Sequence, residues 1–408
     1  MTHGSHTVTI LGSGTMGAGI AQVAVTAGWE VELSDINEAT VGAAIAGILK
    51  KLNRLVEKGR LTAAQRDDAA RRLRVAAWPG SFTECEMVIE AVFEDFQTKV
   101  EALAPIVSAL PSDAIIASNT SSLSIGRIGE GIGRPGCTVG MHFFNPAPLM
   151  KLVEVIAGSD TDPAITDRAV AIAESWGKIV ARAADMPGFI VNHVARPYYL
   201  EAFRILEEGL APADAIDAAL CDLGGFRMGP LTLTDLIGQD INTVTTRQVF
   251  EALGRPPLLA PSPLQEKLAA DGHFGRKTGR GVYAYETDAA PPAIEVEPKP
   301  LAIGAGLSAA MDDFVARATD ATGSDLQRYI FGRILVAIIA QAALAYERGV
   351  APKKDIDTAL KHGTNYPKGP FEWAGQIGPQ CCGRLLEALN GEVRDNRFAV
   401  PGLLKAGA

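Results

Sequence analysis

The stretch "TVTILGSGTMGAGIAQVAVTAGWEVELSDI", residues 7–36, decides the fold of the N-terminal half of the chain. Its apolar run Val8–Leu11 predicts a buried strand, Ala18–Ala27 predicts a helix, and Val31–Leu33 predicts a second strand. Three glycines spaced as G-x-G-x-x-G join the first strand to the helix, and an acidic residue follows the second strand. This order is typical of a dinucleotide-binding α/β domain, so we expect a Rossmann-type sheet.

The residues of the glycine motif have separate mechanical tasks. Gly12 makes the tight turn, Gly14 lets the backbone approach a pyrophosphate, and Gly17 lets helix and strand pack closely. Thr15 and Met16 lie in the same motif and are further expected cofactor contacts, at the helix N-terminus that receives the phosphate charge.

Asp35, after the second strand, predicts which dinucleotide is bound. Its carboxylate would accept hydrogen bonds from the adenosine ribose 2′-hydroxyl and would repel a 2′-phosphate. We therefore expect NAD rather than NADP.

Length and composition indicate a multidomain globular protein. The chain has 408 residues, of which 47% are hydrophobic and 21% charged, enough to bury more than one core. No apolar run approaches the roughly 20 uninterrupted residues of a membrane span, and no signal peptide precedes the first strand, so we predict a cytoplasmic protein without a membrane partner. The net charge of −9 argues against general nucleic-acid binding. Five cysteines without a C-x-x-C pair suggest neither a disulfide framework nor a metal site.

Two helices are predicted after the second strand, as a helical hairpin inserted in the nucleotide-binding domain. On the first helix, Lys50, Arg54 and Lys58 recur every four residues and share one face. On residue types alone, a solvated charged face is favoured over an anion-binding one. The second helix is predicted over "TAAQRDDAARRLRV", residues 62–75. Strand-like runs then continue an open sheet: "MVIEAVF", "AIIASNTSSL", "CTVGMHFF" and "KLVEVI".

Several motifs together resemble one family. "GSGTMGAGIAQ", "IEAVFED" followed by Lys99, "ASNTSSL", "HFFNPAPLMKLVEV" and "PGFIVN" occur in the order and at the spacing seen in the 3-hydroxyacyl-CoA dehydrogenase family. "GRKTGRGVYAY" is similar to that family's end-of-domain signature, so the resemblance covers the chain from about Val8 to Gly281. It implies NAD-dependent oxidation of an (S)-3-hydroxyacyl-CoA to the 3-oxoacyl-CoA.

The resemblance also implies the roles of individual residues. His142 and Glu154 would be the catalytic pair, and Ser121 and Asn192 would contact the substrate's reacting oxygen. The cofactor contacts that it implies beyond the glycine motif are Glu94, Lys99, Asn119 and Asn145. The basic face formed by Lys50, Arg54 and Lys58 would contact coenzyme A.

Alcohol oxidation gives an independent reason for a histidine beside a carboxylate. A base must take the hydroxyl proton while hydride leaves the carbon, and imidazole groups titrate near neutral pH. Glu154, on the next strand, could hold the other ring nitrogen of His142 and stabilise the imidazolium. Ser121 and Asn192 could supply neutral hydrogen bonds to the oxygen. Taken singly, these residues are more often core, surface or helix-capping residues, but their occurrence together beyond a dinucleotide motif favours catalysis.

The C-terminal half is predicted to be helical and contains a repeat. One long helix is expected over "FIVNHVARPYYLEAFRILEEG" and another over "PADAIDAALCDLG". Eleven residues recur at a constant offset of 140, as from Pro212 to Pro352, which indicates two copies of one helical module. At this offset Asn192 corresponds to Gly332, so we expect the second copy to be structural. In the first copy the recurring residues are Gly209, Ala211, Pro212, Ile216, Asp217, Ala219, Leu220, Gly229, Pro230, Ile237 and Gly238.

The predicted domains are an NAD-binding Rossmann domain over 1–186, a first all-α domain over 187–286, a linker over 287–323 and a second, repeated all-α domain over 324–408. A duplicated helical region resembles the 3-hydroxyadipyl-CoA dehydrogenases of phenylacetate breakdown and the dehydrogenase half of fatty-acid oxidation multienzymes. A single copy resembles the short 3-hydroxybutyryl-CoA dehydrogenases. The acyl chain and the pathway stay open, as does the choice between a homodimer and a monomer with the repeat as internal partner.

Two other functions are compatible with the dinucleotide motif. One is an NAD enzyme acting on a non-CoA hydroxy acid such as L-gulonate, and the other is a non-catalytic NAD-binding sensor. The sensor is disfavoured because His142, Glu154, Ser121 and Asn192 are all present.

Overall fold

The computed structural model describes residues 6–77, 85–285 and 291–405, which form two compact units that divide after Phe189. The first unit is built on an eight-stranded sheet in the order β3-β2-β1-β4-β5-β6-β7-β8. All neighbouring strands are parallel except β6 and β7. The strands are β1 Thr7–Leu11, β2 Glu30–Ser34, β3 Leu73–Val75, β4 Met87–Glu90, β5 Ile115–Ser118, β6 Thr138–Phe143, β7 Leu152–Ala157 and β8 Ile179–Ala184.

Helices cover both faces of this sheet, as the parallel pairing requires. They are α1 Thr15–Thr26, α2 Glu38–Glu57, α3 Ala63–Arg72, α4 Phe96–Val107, α5 Ile125–Gly131 and α6 Pro163–Ser175. Apolar residues of α1, α2 and α6 pack in one core against the sheet, and those of α4 and α5 pack in another. The predicted Rossmann-type sheet is thus confirmed.

One local prediction in the first unit is wrong, and one strand was not predicted. Leu73–Val75, expected at the end of a helix, forms β3, because this segment pairs with β2 at the sheet edge and Leu73 is buried there. The strand Ile179–Ala184 was not predicted, although it pairs with β7 along its whole length. Both depend on pairing with strands distant in sequence, which a local pattern does not reveal.

In its described residues, the second unit contains helices and short turns without a sheet. The helices are α7 Val191–Val194, α8 Arg196–Glu207, α9 Ala213–Gly224, α10 Pro230–Ile237, α11 Gln239–Ala252, α12 Pro263–Ala270, α13 Ala305–Ala318, α14 Asp325–Glu347, α15 Lys353–Gly363, α16 Pro370–Ile377 and α17 Pro379–Val393. Helix α14 is long and apolar enough for a membrane span by length and composition alone. Since 89% of its apolar window is buried inside the protein, it has the character of a core helix, and its length is weak evidence for a span.

The single long helix predicted near Asn192 is two helices, α7 and α8, which meet at Ala195. Pro197 has no N–H group to donate to the carbonyl of His193, one turn earlier. That carbonyl instead accepts a hydrogen bond from Gln341 Nε2 at 3.1 Å. The proline therefore explains both the break and the use of a side chain from α14 to repair it.

The predicted linker over 287–323 contains a helix. Residues 287–290 lie outside the described residues, but Ala305–Ala318 form α13, with Leu307, Met311 and Phe314 buried. The prediction of a linker is therefore wrong over α13. The apolar residues of this segment recur at helical spacing and pack against α14 and α17.

Candidate active site

The glycine motif has the geometry that a pyrophosphate requires. Gly12 has a φ of +98°, and a Cβ on Gly17 would lie 1.8 Å from the carbonyl oxygen of Gly12, so neither position accepts a side chain. Gly14 is exposed at the start of α1, with open space where its Cβ would be and no side-chain cap on the helix. Thr15 and Met16 form the first turn. The N–H groups at this helix end are therefore available to an anion, and these residues fit a dinucleotide.

Asp35 lies beside the glycine motif. Its Oδ2 accepts hydrogen bonds from the backbone N–H and the hydroxyl of Ser13, both at 2.7 Å. Burial opposes ionisation of this carboxyl, but the hydrogen bonds from Ser13 prevail and lower its pKa. The carboxylate is thus held ionised, as an acceptor for a ribose hydroxyl must be.

His142 and Glu154 are direct cross-strand partners. The register of the antiparallel pair β6 and β7 sets His142 opposite Glu154, and the Nδ1 atom of the histidine lies 2.7 Å from Oε2 of the glutamate. His142 is 7% exposed and Glu154 is fully buried. The rings of Phe144 and Phe189 pack 4.5 and 5.9 Å from the imidazole. Because Nδ1 faces the carboxylate, Nε2 is the nitrogen left for a substrate.

A second polar cluster occupies the ends of β4 and β5. Lys99, expected to line the cofactor site, is 1% exposed and lies between Glu90 at 2.7 Å and Glu94 at 3.1 Å. Glu90 also accepts a hydrogen bond from the Ser118 hydroxyl at 2.6 Å. Burial raises the pKa of Glu90, whereas for Glu94 the opposing effects of Lys99 and of hydrogen bonds from Thr120 and Ser121 lower the pKa. Lys99 therefore forms ion pairs with two carboxylates, whose combined charge it can offset only in part.

Ser121 belongs to the same cluster. Glu94 Oε1 faces four donors: the Thr120 hydroxyl at 2.7 Å, the Ser121 N–H at 2.8 Å, the Ser122 hydroxyl at 3.1 Å and the Ser121 hydroxyl at 3.2 Å. A carboxylate oxygen has about two lone-pair sites. The longest of these contacts, from the Ser121 hydroxyl, is therefore the one most readily exchanged for a ligand.

Two asparagines flank the histidine strand. Asn119 Oδ1 accepts a hydrogen bond from the backbone N–H of Phe143 at 2.9 Å, which joins the end of β5 to the residue after His142. Asn145 is exposed and precedes a cis bond to Pro146. Of the two, Asn119 thus has a structural task in addition to its predicted contact with the cofactor.

The remaining predicted residues lie on helices. Asn192 is partly exposed on α7, in the second unit. Lys50, Arg54 and Lys58 are exposed at the C-terminal end of α2, and within the described ranges no carboxylate forms an ion pair with them. The same ranges contain no group of three or more His, Cys, Asp or Glu side chains placed to hold a metal ion.

Sequence reasoning missed two residues that support the site. Glu90 is the buried partner of Lys99, and a carboxylate inside the apolar run "MVIEAV" was the available signal. Ser13, the variable position between the first two glycines, holds Asp35, and nothing in its residue type indicates that contact.

Comparison with known proteins identifies the family of the chain. The 3-hydroxyacyl-CoA dehydrogenase NAD binding domain matches residues 7–186, and the C-terminal domain of the same family matches 188–285 and again 329–407. A 3-hydroxyadipyl-CoA dehydrogenase of Escherichia coli (strain K12) is 36% identical, with 98% of this chain and 97% of that protein covered. A 3-hydroxybutyryl-CoA dehydrogenase of Mycobacterium tuberculosis (strain CDC 1551 / Oshkosh) is 37% identical, covering 68% of this chain and 98% of the relative.

Among solved structures, the crystal structure of 3-hydroxybutyryl-CoA dehydrogenase from Escherichia coli K12 superposes with a TM-score of 0.87 at 35% identity, covering 98% of both chains. The domain matches span most of the sequence, and the 3-hydroxyadipyl-CoA dehydrogenase is similar over nearly the whole length of both proteins. The chain belongs to the 3-hydroxyacyl-CoA dehydrogenase family.

Proposed function

We propose that His142 is the general base of this NAD-dependent 3-hydroxyacyl-CoA dehydrogenase and that Glu154 orients it. The observation that carries the proposal is the 2.7 Å contact between His142 Nδ1 and Glu154 Oε2 in a buried cross-strand pair. A carboxylate on Nδ1 fixes the tautomer that leaves Nε2 unprotonated, which is the form able to accept a proton.

The proton chemistry follows from that arrangement. Nε2 of His142 takes the proton of the substrate's C3 hydroxyl, and the resulting imidazolium lies beside the carboxyl group of Glu154, away from bulk water. Burial strengthens this attraction relative to water, which favours proton transfer at neutral pH. NAD, when bound, supplies the acceptor for the hydride that leaves C3.

The C3 oxygen needs donors while its charge changes. We assign this task to the Ser121 hydroxyl, which can be released from the crowded Glu94 Oε1, and to the carboxamide of Asn192. Asp35 and the first turn of α1 are assigned to the adenosine ribose and the pyrophosphate. Glu94, Lys99, Asn119 and Asn145 are assigned to the nicotinamide side, with Lys99 acting from its buried position through Glu94.

Coenzyme A is assigned to the inserted helical hairpin formed by α2 and α3. Lys50, Arg54 and Lys58 supply three exposed positive charges on one face without a protein counter-charge in the described residues. Phosphates are the groups that such a face attracts, and coenzyme A carries several of them.

The relatives do not determine which acyl chain the substrate carries. Two that cover 98% of this chain are named for adipyl and for butyryl groups. A panel of 3-hydroxybutyryl-, longer 3-hydroxyacyl- and 3-hydroxyadipyl-CoA, followed by NADH formation, tests the proposal and ranks the chains by kcat/KM. We expect turnover of thioesters and none of free L-gulonate. Turnover of L-gulonate without any thioester activity would overturn the assignment of coenzyme A substrates, which family membership already favours over that alternative.

We further propose that the second unit contains two copies of one module. Support comes from equivalent contacts at the offset of 140 residues. Asp217 accepts the backbone N–H groups of Leu231 and Thr232, at the start of α10. Asp357 accepts those of Phe371 and Glu372, at the start of α16. The same aspartate in each copy therefore caps the same helix.

The two copies also contact each other reciprocally. Glu201 on α8 pairs with Arg333 on α14 at 2.8 Å, and their equivalents, Gln341 and His193, meet through a hydrogen bond at 3.1 Å. Such an exchange of positions is what a two-fold interface produces. Gly332, the equivalent of Asn192, is covered by Met311 of α13, since a Cβ there would lie 2.2 Å from the sulfur. The second copy is therefore assigned a packing role.

The cellular compartment and the oligomeric state remain predictions from the sequence. The cytoplasm remains the expected compartment, and the internal pairing of the two copies favours a monomer over a homodimer formed through the same surface.

A further inference from the structure

Arg196, the first residue of α8, is a buried cation that the proposed reaction does not use. It is 4% exposed and lies one helical turn after Asn192. Guanidinium groups stay protonated in proteins, so burying one costs free energy unless an anion compensates it. Burial lowers the pKa of Arg196, which shows the direction of that cost.

The partners of Arg196 are neutral. Its Nη2 donates to Asn192 Oδ1 at 3.2 Å and its Nη1 to the Thr246 hydroxyl at 3.4 Å. The guanidinium carbon lies 5.0 Å from the ring centroid of Tyr199, and Nε has no hydrogen-bond partner. No carboxylate of residues 6–77, 85–285 or 291–405 forms an ion pair with it.

Another buried arginine of the same unit shows the contrast. Arg333 is fully buried as well, but it pairs with Glu201 at 2.8 Å and with Glu208 at 2.6 Å. The fold thus neutralises one buried guanidinium with two carboxylates and leaves the other to an asparagine, a hydroxyl and a ring. A cation kept without a counter-charge next to Asn192 indicates a task in the site.

The hydrogen bond from Arg196 determines which atom of the Asn192 carboxamide faces away from the arginine. A guanidinium can only donate, so the atom that faces Arg196 must be the oxygen. The Nδ2 group is then the end that remains for another partner. Without Arg196 the carboxamide of Asn192 could rotate by about 180°, so that Oδ1 rather than Nδ2 faced the substrate oxygen. In that orientation Oδ1 would repel the negative charge that develops there.

We propose that Arg196 is a positioning residue that holds Asn192 with Nδ2 directed to the C3 oxygen of the substrate and polarises it as a donor. The inference rests on the proposed role of Asn192. The guanidinium reaches the reaction through one hydrogen bond, so its positive charge strengthens that donor without contacting the substrate.

A double-mutant cycle tests the proposal. Asn192→Ala should lower kcat for 3-hydroxybutyryl-CoA by roughly 10²-fold, the loss typical of one donor to a developing oxyanion. Arg196→Met should lower kcat by about 10-fold in the unmodified background and leave it unchanged in the Asn192→Ala background. Arg196→Lys, which keeps a donor and a charge, should recover part of the loss, and the KM for NAD should stay constant throughout.

A second variant reports on the contact even if Arg196→Met folds poorly. Asn192→Asp removes the Nδ2 donor and sets a carboxylate against the unpaired guanidinium. We expect its Tm to rise while kcat falls, and the rise to disappear when Arg196→Met is added but to persist in part when Arg196→Lys is added, because lysine keeps the charge.

The outcomes separate the inference from the proposed function. Near-normal turnover of Asn192→Ala would overturn the role of Asn192 and Arg196's role with it. Suppose that Asn192→Ala lowers kcat as expected, but that Arg196→Met lowers kcat by the same factor whether or not Asn192 is present. That result would overturn only the positioning role of Arg196. So would a loss confined to 3-hydroxyadipyl-CoA, since Arg196 would then recognise the carboxylate at the end of the acyl chain.

Discussion

At the scale of single residues, the proposed chemistry depends on the cross-strand pair. His142→Gln removes the base, and Glu154→Gln removes the charge that stabilises its protonated form. We expect each variant to lower kcat by roughly 10²–10⁴-fold with little change in NAD affinity, the usual contribution of a positioned base. Steady-state kinetics and NAD titration by fluorescence measure both quantities. His273→Gln, at a histidine outside the pair, is the matched control, and near-normal turnover of either pair variant would remove that residue from the mechanism.

Asp35 sets the cofactor preference at the same scale. Since Ser13 holds its carboxylate ionised, Asp35→Ala should narrow the preference for NAD over NADP, through both a lost hydrogen bond and a lost repulsion. Asp113→Ala, at an exposed carboxylate, should leave the ratio unchanged. The ratio of kcat/KM for the two cofactors measures the effect. Equal use of NAD and NADP by the unmodified chain would contradict the role given to Asp35.

At the scale of an element, the exposed face of α2 is predicted to bind the phosphates of coenzyme A. Reversing the charges of Lys50, Arg54 and Lys58 to glutamate should raise KM for the thioester about 10-fold or more, with KM for NAD unchanged. The increase should shrink at higher ionic strength, because screening weakens exposed charges. A matched reversal of Arg348, Lys354 and Arg394 on exposed positions of the second unit controls for net charge. An unchanged KM for the thioester would show that the α2 face is a solvated charged surface that does not bind coenzyme A.

At the scale of the whole molecule, the contacts between α8 and α14 give the second unit a predictable response to acid. Burial would raise the pKa of Glu201, but Arg333, Arg204 and Arg397 prevail and lower it to about 2. A carboxyl whose pKa is lower in the folded state stabilises that state above its ordinary pKa of 4.5, and this stabilisation is lost as the pH falls through about 2.

Glu201→Gln should therefore lower the free energy of unfolding at neutral pH by roughly 3 kcal/mol, the lower end of the cost of breaking a buried pair. The deficit should shrink as the pH falls below about 4, where the unmodified chain loses the same contribution. Urea denaturation across the pH range measures it. Glu251→Gln, which breaks the exposed pair with Arg255, should lower the free energy of unfolding far less, because water screens that pair. A deficit that stays constant with pH would show that Glu201 acts through packing rather than charge.

Removal of the second copy tests the internal pairing. Helix α14 buries nearly its whole length, so deleting residues from about Leu301 onward should expose apolar surface on α8 and α9. We expect the shortened chain to aggregate or to dimerise through that surface, as light scattering would detect. A shortened chain that stayed monomeric, stable and fully active would show the second copy to be dispensable.

The sequence by itself determined the features that depend on local pattern. The strand, glycine turn and helix of residues 7–36 follow from hydrophobic spacing and from two positions, Gly12 and Gly17, where the backbone leaves no room for a side chain. His142 and Glu154 were predicted as a pair because their motif resembles that of one family, and their positions on successive apolar runs are those that adjacent strands bring together. The repeat was visible because its residues recur at one fixed offset.

Only the tertiary structure decided which polar groups neutralise each other. The pairing of Leu73–Val75 with β2, the hydrogen bond from Ser118 to Glu90, and the reciprocal contacts of Arg333 and Gln341 all join residues far apart in the chain. The lack of a carboxylate partner for Arg196 among the described residues is the same kind of property, since it depends on what surrounds the side chain rather than on its neighbours in sequence. Local sequence sets backbone preference and apolar periodicity, but the electrostatic free energy of a buried group is fixed by three-dimensional distances that only the folded chain defines.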